Sequence, residues 1–164
     1  MTIIPRKFDS EIKITETGRW LFRGQEITQE NVLSFFKKNI CEDDKGIYIT
    51  NSYADKVEHG YLEANCIFLK IENAIETSEG IFLQAEDESI TPLKDFDFYS
   101  DKEEKLFCMR KKDQFIKFKL NRKSHDFISN LLEEENGRYF LKTKEYEIPV
   151  TEFSGKIEVR VPAF

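Results

Sequence analysis

The chain has 164 residues, 40% hydrophobic and 34% charged, so it is long enough for one sizeable core or two smaller ones. Its net charge of −6 argues against a general affinity for nucleic acid or anionic membranes. No apolar run approaches the roughly 20 residues that span a bilayer, and the amino-terminal stretch lacks the order of a signal peptide. We therefore expect a cytoplasmic protein without a transmembrane segment.

The amino-terminal stretch predicts a hairpin. Residues 1–9 are expected to form a loose arm, and residues 11–15 alternate between apolar and polar as a half-buried strand does. Gly18 and Gly24 mark turns on either side of a short strand that begins with Trp20, the only tryptophan.

A helix and further strands follow this hairpin. Thr28 is a plausible N-cap, because its hydroxyl can accept from an amide of the first turn. After a polar loop at 42–46, strands are expected at 47–50 and 66–71, the second being the most apolar in the chain. The predicted helix carries an apolar stripe formed by Val32, Leu33, Phe35, Phe36 and Ile40.

The second half alternates in the same way between strands and one helix. Residues 72–79 are polar and are expected to connect two units. Residues 106–120 predict a hairpin, and residues 122–134 predict a second amphipathic helix that stops at Gly137. Residues 156–161 alternate and predict a last strand.

A helix followed by a Gly-x-Tyr step and an apolar strand occurs twice, at Gly46 and at Gly137. Duplication explains this repeat, although a helix–glycine–strand connection is also common in unrelated folds. The predicted fold class is α+β, with an N-terminal unit at 10–73 and a related C-terminal unit at 74–164. Each unit is expected to pack one main helix on a small antiparallel sheet.

Spaced residues in both halves carry a resemblance to a known family. In the first half they are Ile14, Gly18, Trp20, Gly24, Ile27, Leu33, Phe36, Gly46, Tyr48, Ile49, Asp55, Lys56, Val57, Leu62, Glu63, Ala64, Ile67 and Phe68. In the second half the match is weaker: Gly80, Ile81 and Leu83, then residues 115–120, then the predicted helix at 122–134 with Tyr139 and Tyr146 after it. Over roughly residues 10–150 the chain resembles the domain-of-unknown-function 1285 family of bacterial proteins.

The resemblance implies a two-unit fold built from duplicated motifs, with a C-terminal unit superficially like a pleckstrin-homology domain. It also implies a ligand site where the units meet and a role in signal transduction. No enzymatic activity is established for that family.

The residues show no catalytic or metal-binding signature. His59 and His125 lie far apart and in no metal-ligand spacing, so both are interpreted as surface residues, and no metal or cofactor is expected. The odd number of widely spaced cysteines indicates reduced thiols. A Cys66–His59 nucleophile pair is disfavoured, because a thiol in an apolar strand has a raised pKa.

Charge is distributed unevenly along the chain. Residues 102–123 carry a net charge of +6, and the rest of the chain carries −12. Lysines of the predicted hairpin form a candidate anion site for a phosphate, an acidic lipid headgroup or an acidic partner: Lys111, Lys112, Lys117 and Lys119. The alternative is a strand face that lysines keep soluble.

These observations favour a non-enzymatic binding module whose unidentified small ligand or protein partner binds where the units meet. The candidate ligand-binding residues are Trp20, Arg23, Tyr48, Tyr53, Lys56 and Arg122. Core packing is the alternative role for the aromatic ones. Two other functions stay open: an acid–base enzyme at the same junction using a carboxylate with His125 or Lys56, and an adaptor for anions, acidic lipids or nucleic acid using residues 102–123.

Overall fold

Two units make up the structure, a computed structural model that describes residues 2–164. The first unit runs to Phe68 and also includes Lys156–Phe164, and the second is Leu69–Gly155. The division thus falls at Phe68 rather than at 73, and the C-terminal segment belongs to the first unit. Strands dominate both units and each contains one α-helix, so the α+β class is confirmed.

The first unit is built on a six-stranded mixed sheet with the strand order β3-β2-β1-β6-β5-β4. β1 and β6 are parallel, and the other neighbours are antiparallel. Its elements are β1 Arg6–Ile14, β2 Trp20–Phe22, β3 Gln25–Glu26, α1 Glu30–Lys38, β4 Ile40–Asp43, β5 Gly46–Tyr53 and β6 Lys56–Ala64.

β1 begins within the stretch that was expected to be a loose arm. Arg6 to Asp9 pair in parallel with β6, in a register that places Lys7 opposite His59. An irregularity then interrupts the pairing, where Glu11 has a φ of 61°. For these four residues the prediction of a loose arm was wrong, because they gain their backbone partners from a strand 52 positions away, and no local pattern records that pairing.

One face of this sheet is apolar and packs near α1. Ile14, Ile49 and Leu62 lie on it and are buried. Trp20 is 4% exposed, stacks on Phe36 of α1 at 6.1 Å and meets Phe68 edge-on at 5.5 Å between ring centroids. The single tryptophan is therefore a core residue of the first unit.

The N-cap of α1 lies one residue later than expected. The N-cap is Gln29, with extended backbone and no side-chain hydrogen bond, so the assignment of Thr28 as the cap was wrong. Glu30 in the first turn and the lysines of the last turn suit the helix dipole in place of a side-chain cap.

The second unit is built on a nine-stranded mixed sheet with the order β13-β14-β15-β10-β11-β12-β7-β8-β9. The β10–β15 and β12–β7 pairs are parallel, and the rest are antiparallel. Its elements are β7 Leu69–Thr77, β8 Gly80–Ala85, β9 Ile90–Pro92, β10 Phe96–Ser100, β11 Leu106–Arg110, β12 Phe118–Leu120, α2 Arg122–Ser129, β13 Leu132–Glu135, β14 Arg138–Lys142 and β15 Glu147–Glu152.

Several predicted boundaries in this unit were wrong. The polar stretch 72–79 is no connector, because β7 runs through it to Thr77 and pairs with β8. The predicted second helix ends at Ser129, and its last residues form β13. The chain then turns at Asn136 and Gly137, both with positive φ, into β14. In the first unit, the predicted strand at 156–161 is a single bridge between Val159 and Ala64.

A buried arginine joins two turns of the second unit. The Arg110 side chain, 8% exposed, donates from Nε to Asp113 at 2.7 Å and from a terminal nitrogen to Asp87 at 3.1 Å and Ser89 at 3.0 Å. Burial lowers the pKa of Arg110, but the two carboxylates outweigh it and raise the pKa overall. The guanidinium also lies 5.0 Å from the ring centre of Phe118, so this network is structural.

Candidate functional site

The second face of the six-stranded sheet carries polar and aromatic side chains. Lys7 of β1 lies opposite His59 of β6, and Tyr61 of β6 lies opposite Tyr48 of β5. Cys41 of β4 lies opposite Tyr48, and Asp43 follows two residues later on the same face. We call Lys7, Asp43, Tyr48, His59 and Tyr61 the polar cluster.

The polar cluster lies on a concave surface. β1 and β4 are separated by two strands, which in a flat sheet would place them about 14 Å apart. Yet Lys7 Nζ lies 3.3 Å from Asp43 Oδ2. Side chains that stand perpendicular to a flat sheet cannot close that distance, so the sheet curves with this face inward. The ion pair crosses the concave face.

Asp43 is held as a carboxylate by three donors. Oδ2 accepts from Tyr61 Oη in a short hydrogen bond and from Lys7 Nζ, and Oδ1 accepts from the backbone amide of Lys45 at 2.9 Å. Burial alone would raise the pKa of Asp43, but these hydrogen bonds and the charge of Lys7 lower it overall. Burial raises the pKa of Tyr61, and its bond to Asp43 raises it further. At neutral pH this pair is therefore a carboxylate and a phenol.

Tyr48 and His59 form an aromatic stack within the polar cluster. Their ring centroids lie 4.1 Å apart at 17°. Burial raises the pKa of Tyr48, with added contributions from Cys41 and Asp43. Burial lowers the pKa of His59, and the charge of Lys7 lowers it further against the opposing effect of Asp43. His59 is thus neutral at pH 7.

One atom of the stack lacks a hydrogen-bond partner. His59 Nδ1 is buried and has no hydrogen-bond partner, and among the buried side-chain nitrogen and oxygen atoms of residues 2–164 it is alone in this. A buried polar atom without a partner costs about 1–3 kcal/mol. This cost makes His59 Nδ1 a candidate contact for a bound group.

The C-terminal segment reaches the same region of the first unit. The Phe164 ring lies 5.5 Å from the ring of Tyr61, which is itself fully buried. Gly46, at the start of β5, lies against the backbone of Arg160. These contacts contribute to the burial of Tyr61.

The candidate residues predicted from the sequence do not all gather at the polar cluster, since only Tyr48 belongs to it. Tyr53 and Lys56 form the exposed tip of the β5–β6 hairpin, where the ammonium lies 6.0 Å from the tyrosine ring. At about 3.3 Å per residue that tip lies roughly 17 Å along β5 from Tyr48.

The other three candidates have different surroundings. Trp20 is in the core, and Arg23 is exposed and bonded to Glu11 at 2.6 Å. Arg122 is the exposed first residue of α2, in the second unit. Their role in ligand binding stays a prediction.

The predicted basic hairpin has one lysine in an unexpected position. Lys111, Lys112 and Lys119 are exposed, but Lys117 is 7% exposed. Its Nζ donates to the carbonyl of Phe115 at 3.1 Å and lies 5.5 Å from the Phe153 ring. The second strand of the hairpin is also shorter than expected, beginning at Phe118 instead of Gln114.

The sequence reasoning missed four members of the polar cluster. Lys7 was assigned to a loose arm, Asp43 to a solvated loop and His59 to the surface, and Tyr61 was not singled out. One signal was present: His59 and Tyr61 alternate with Gly60 and Leu62, a period-two pattern that predicts a strand with one polar aromatic face.

The described residues form neither a metal-binding group nor a membrane-spanning helix. Across residues 2–164, no three His, Cys, Asp or Glu side chains are grouped so as to hold a metal ion. Neither α1 nor α2, the helices of that range, has the length and apolar character to cross a bilayer. Cys108 is a buried free thiol whose pKa is raised by burial.

The fold is similar to that of a solved structure. The crystal structure of a DUF1285 family protein from Silicibacter pomeroyi DSS-3 superposes with a TM-score of 0.63. It covers 90% of this chain and 83% of its own, at 13% sequence identity. No family model matches the chain, and no curated protein matches it. At this identity the likeness concerns the fold alone, and at that level it confirms the resemblance found in the sequence.

Proposed function

We propose that the protein is a non-enzymatic ligand-binding module and that the polar cluster on the concave face of the first unit is its site. The observation that carries the proposal is the buried, unpartnered Nδ1 of His59, stacked on Tyr48. It lies on the face that the Lys7–Asp43 pair crosses. A concave face with an aromatic platform and a few oriented polar groups is the usual form of a small-molecule site.

The protonation states of the cluster favour binding over acid–base catalysis. A catalytic acid or base is most effective with a pKa near the working pH. Here the pKa of Asp43 is lowered and that of Tyr61 is raised, away from neutrality in both cases. Each group is also committed to the other by a hydrogen bond. The Asp43–Tyr61 pair is therefore a fixed hydrogen-bonded unit beside the aromatic surface of Tyr48 and His59.

The finer parts of the sequence prediction remain part of this proposal. A role in signal transduction would follow if a partner protein distinguished the ligand-bound from the ligand-free first unit. The helix followed by a β-hairpin in each unit, α1-β4-β5 and α2-β13-β14, supports an origin by duplication. The pleckstrin-homology-like character of the second unit and a ligand site where the units meet stay predictions.

The test is a ligand screen read by amide NMR on the full-length ¹⁵N-labelled chain. The probes are small aromatic acids, amides and amines, added one at a time. We expect binders to shift amide signals of β1, β4, β5 and β6 around the polar cluster. Probes that shift only signals elsewhere, such as those of Lys111 and Lys112, or that shift nothing, would refute the proposal.

A pair of variants on one strand sharpens this screen. Tyr48→Leu removes the aromatic platform and should weaken every binder found. Tyr53→Leu changes an exposed tyrosine on the same strand and should leave affinity unchanged. The opposite result would move the site to the hairpin tip with Lys56.

A further inference from the structure

We infer that the ligand of the polar cluster is a small carboxylate-bearing molecule, held between Lys7 and His59, whose binding is accompanied by uptake of one proton on His59. This inference rests on the proposed function and names the chemistry of its ligand. The juxtaposition that carries it is an ammonium group and an unpartnered imidazole nitrogen on directly opposed residues of one concave face.

Lys7 has donor capacity that the protein does not use. A lysine ammonium carries three N–H donors, and the structure gives Lys7 one partner, Asp43. The side chain is 40% exposed, so its remaining donors are open to a ligand. A carboxylate oxygen is the acceptor that forms the stronger, charge-assisted bond with them.

Asp43 stays hydrogen-bonded when the Lys7 ammonium turns away from it. Its two oxygens keep the hydrogen bonds from Tyr61 and from the Lys45 amide when the ammonium turns toward a ligand. The carboxylate is then still bonded, which limits the cost of the exchange. Movement of Lys7 also opens the concave face that the ion pair crosses.

A carboxylate ligand would supply the hydrogen-bond acceptor that a protonated His59 Nδ1 lacks. Protonating the ring of the ligand-free protein would place an N–H at the buried Nδ1 with no acceptor, beside the positive charge of Lys7. A carboxylate oxygen at this position accepts that hydrogen bond and offsets the charge. The proton comes from solvent, no covalent bond is made or broken, and the bound state is a carboxylate between an ammonium and an imidazolium.

The surroundings of His59 favour this ligand over a cation or a neutral molecule. A cation would meet Lys7 directly, and a neutral molecule would offer no negative charge to the ammonium once it has turned from Asp43. The charges that act on His59 are those of Lys7 from β1 and Asp43 from β4, and Tyr48 from β5 stacks on its ring. On the same face Tyr61 follows on the strand of His59, and Asp9 of β1 lies opposite Tyr61. Asp43 is the one carboxylate of the polar cluster, and it is already held by three donors.

The experiment is a titration of the full-length chain with benzoate and with its neutral isostere benzamide, read from the imidazole nitrogen signals of both histidines. We expect benzoate to shift His59 toward the protonated form and benzamide to leave its protonation unchanged. Benzoate should bind about tenfold more tightly at a pH that protonates His59 in the complex than at a pH at which His59 stays neutral. His125 is exposed on α2 and serves as the control within the same chain.

Two variants separate the proposed contact from general electrostatics. Lys7→Gln should reduce benzoate affinity and the proton uptake, whereas Lys13→Gln should change neither. Lys13 is the matched control because it lies on the same strand and forms an exposed pair with Glu63. The single tryptophan, Trp20, reports by fluorescence that both variants keep the first unit folded.

The outcomes distinguish this inference from the proposed function. If benzamide binds as tightly as benzoate, or if benzoate binds without a response of His59, the carboxylate inference is wrong while the site itself stands. If neither probe shifts signals of the polar cluster, the carboxylate inference is wrong, and the wider ligand screen decides the proposed function separately.

Discussion

Replacing Tyr61 by phenylalanine tests whether Asp43 is the centre of the polar cluster. The ring stays, so the packing against Tyr48 and Phe164 is kept, and only the hydroxyl that donates to Asp43 is lost. A hydrogen bond to a charged group contributes about 1.5–3 kcal/mol. Because Tyr61 is fully buried, water does not readily replace it. We expect a loss of about 2 kcal/mol in the free energy of unfolding at pH 7.

The pH dependence of this loss follows from the pKa of Asp43, which is lower in the folded protein than its ordinary value of 3.8. A carboxyl group with a lowered pKa stabilises the fold above 3.8 and loses that contribution as the pH falls through its folded-state pKa. In more acidic solution the bond from Tyr61 joins two neutral groups and contributes about 0.5–1.5 kcal/mol. The effect of the substitution should therefore shrink toward low pH.

The assay is urea unfolding followed by the fluorescence of Trp20, which lies in the core of the first unit. Tyr99→Phe in the second unit is the control, because burial and the charge of Asp97 raise the pKa of Tyr99 without a hydrogen bond to a carboxylate. Equal losses for the two variants at pH 7 would refute the reasoning. So would a loss for Tyr61→Phe that stays constant toward acid.

Three further predictions concern the second unit and use urea unfolding followed by circular dichroism or thiol reactivity. Arg110→Met should cost about 3–5 kcal/mol because it leaves the Asp87 and Asp113 carboxylates buried without the guanidinium that pairs with both; changing both to asparagine in that background should recover most of the loss, and no recovery would contradict the account. Asn121→Ala should cost about 1 kcal/mol, since its side chain accepts from the first turn of α2, and an unchanged midpoint would show that the cap is dispensable. Cys108 should react with a thiol reagent only as the unit unfolds, whereas rapid reaction of this thiol in native buffer would contradict its burial.

Local patterns in the sequence identified both α-helices and several strands but missed elements set by distant pairing. The stripe of α1 and the alternation of β5 and β14 depend on neighbours a few positions away, so these elements were predicted. The start of β1 was missed because its residues acquire strand geometry by pairing in parallel with β6. The misplacement of Lys7 followed from that, since a residue in a loose arm belongs to no site.

The boundaries of the second helix had a local signal that the apolar stripe obscured. Leu131 and Leu132 continue the helical spacing of α2 and suggested a longer helix. The pair Asn136-Gly137, which favours a tight turn with positive φ, indicated the hairpin that the structure has. The turn residues therefore indicated the hairpin correctly, whereas the helical spacing of the two leucines predicted a helix that is too long.

The polar cluster was only partly predictable for a physical reason. No residue of the cluster has an unusual sequence context by itself. The chemistry of the cluster arises from the curvature of the sheet, which brings Lys7 to Asp43. Tyr48 was named from the sequence as a ligand-stacking residue, but its partner His59 was interpreted as a surface residue. Their contact depends on the register of β5 and β6, which composition does not record.

The most direct test of the binding site is a crystal structure of the full-length protein grown with benzoate. The account predicts electron density for the carboxylate between Lys7 Nζ and His59 Nδ1, with Asp43 still bonded to Tyr61. Benzoate bound elsewhere on the chain, with the Lys7–Asp43 pair intact and His59 Nδ1 still unpartnered, would contradict it.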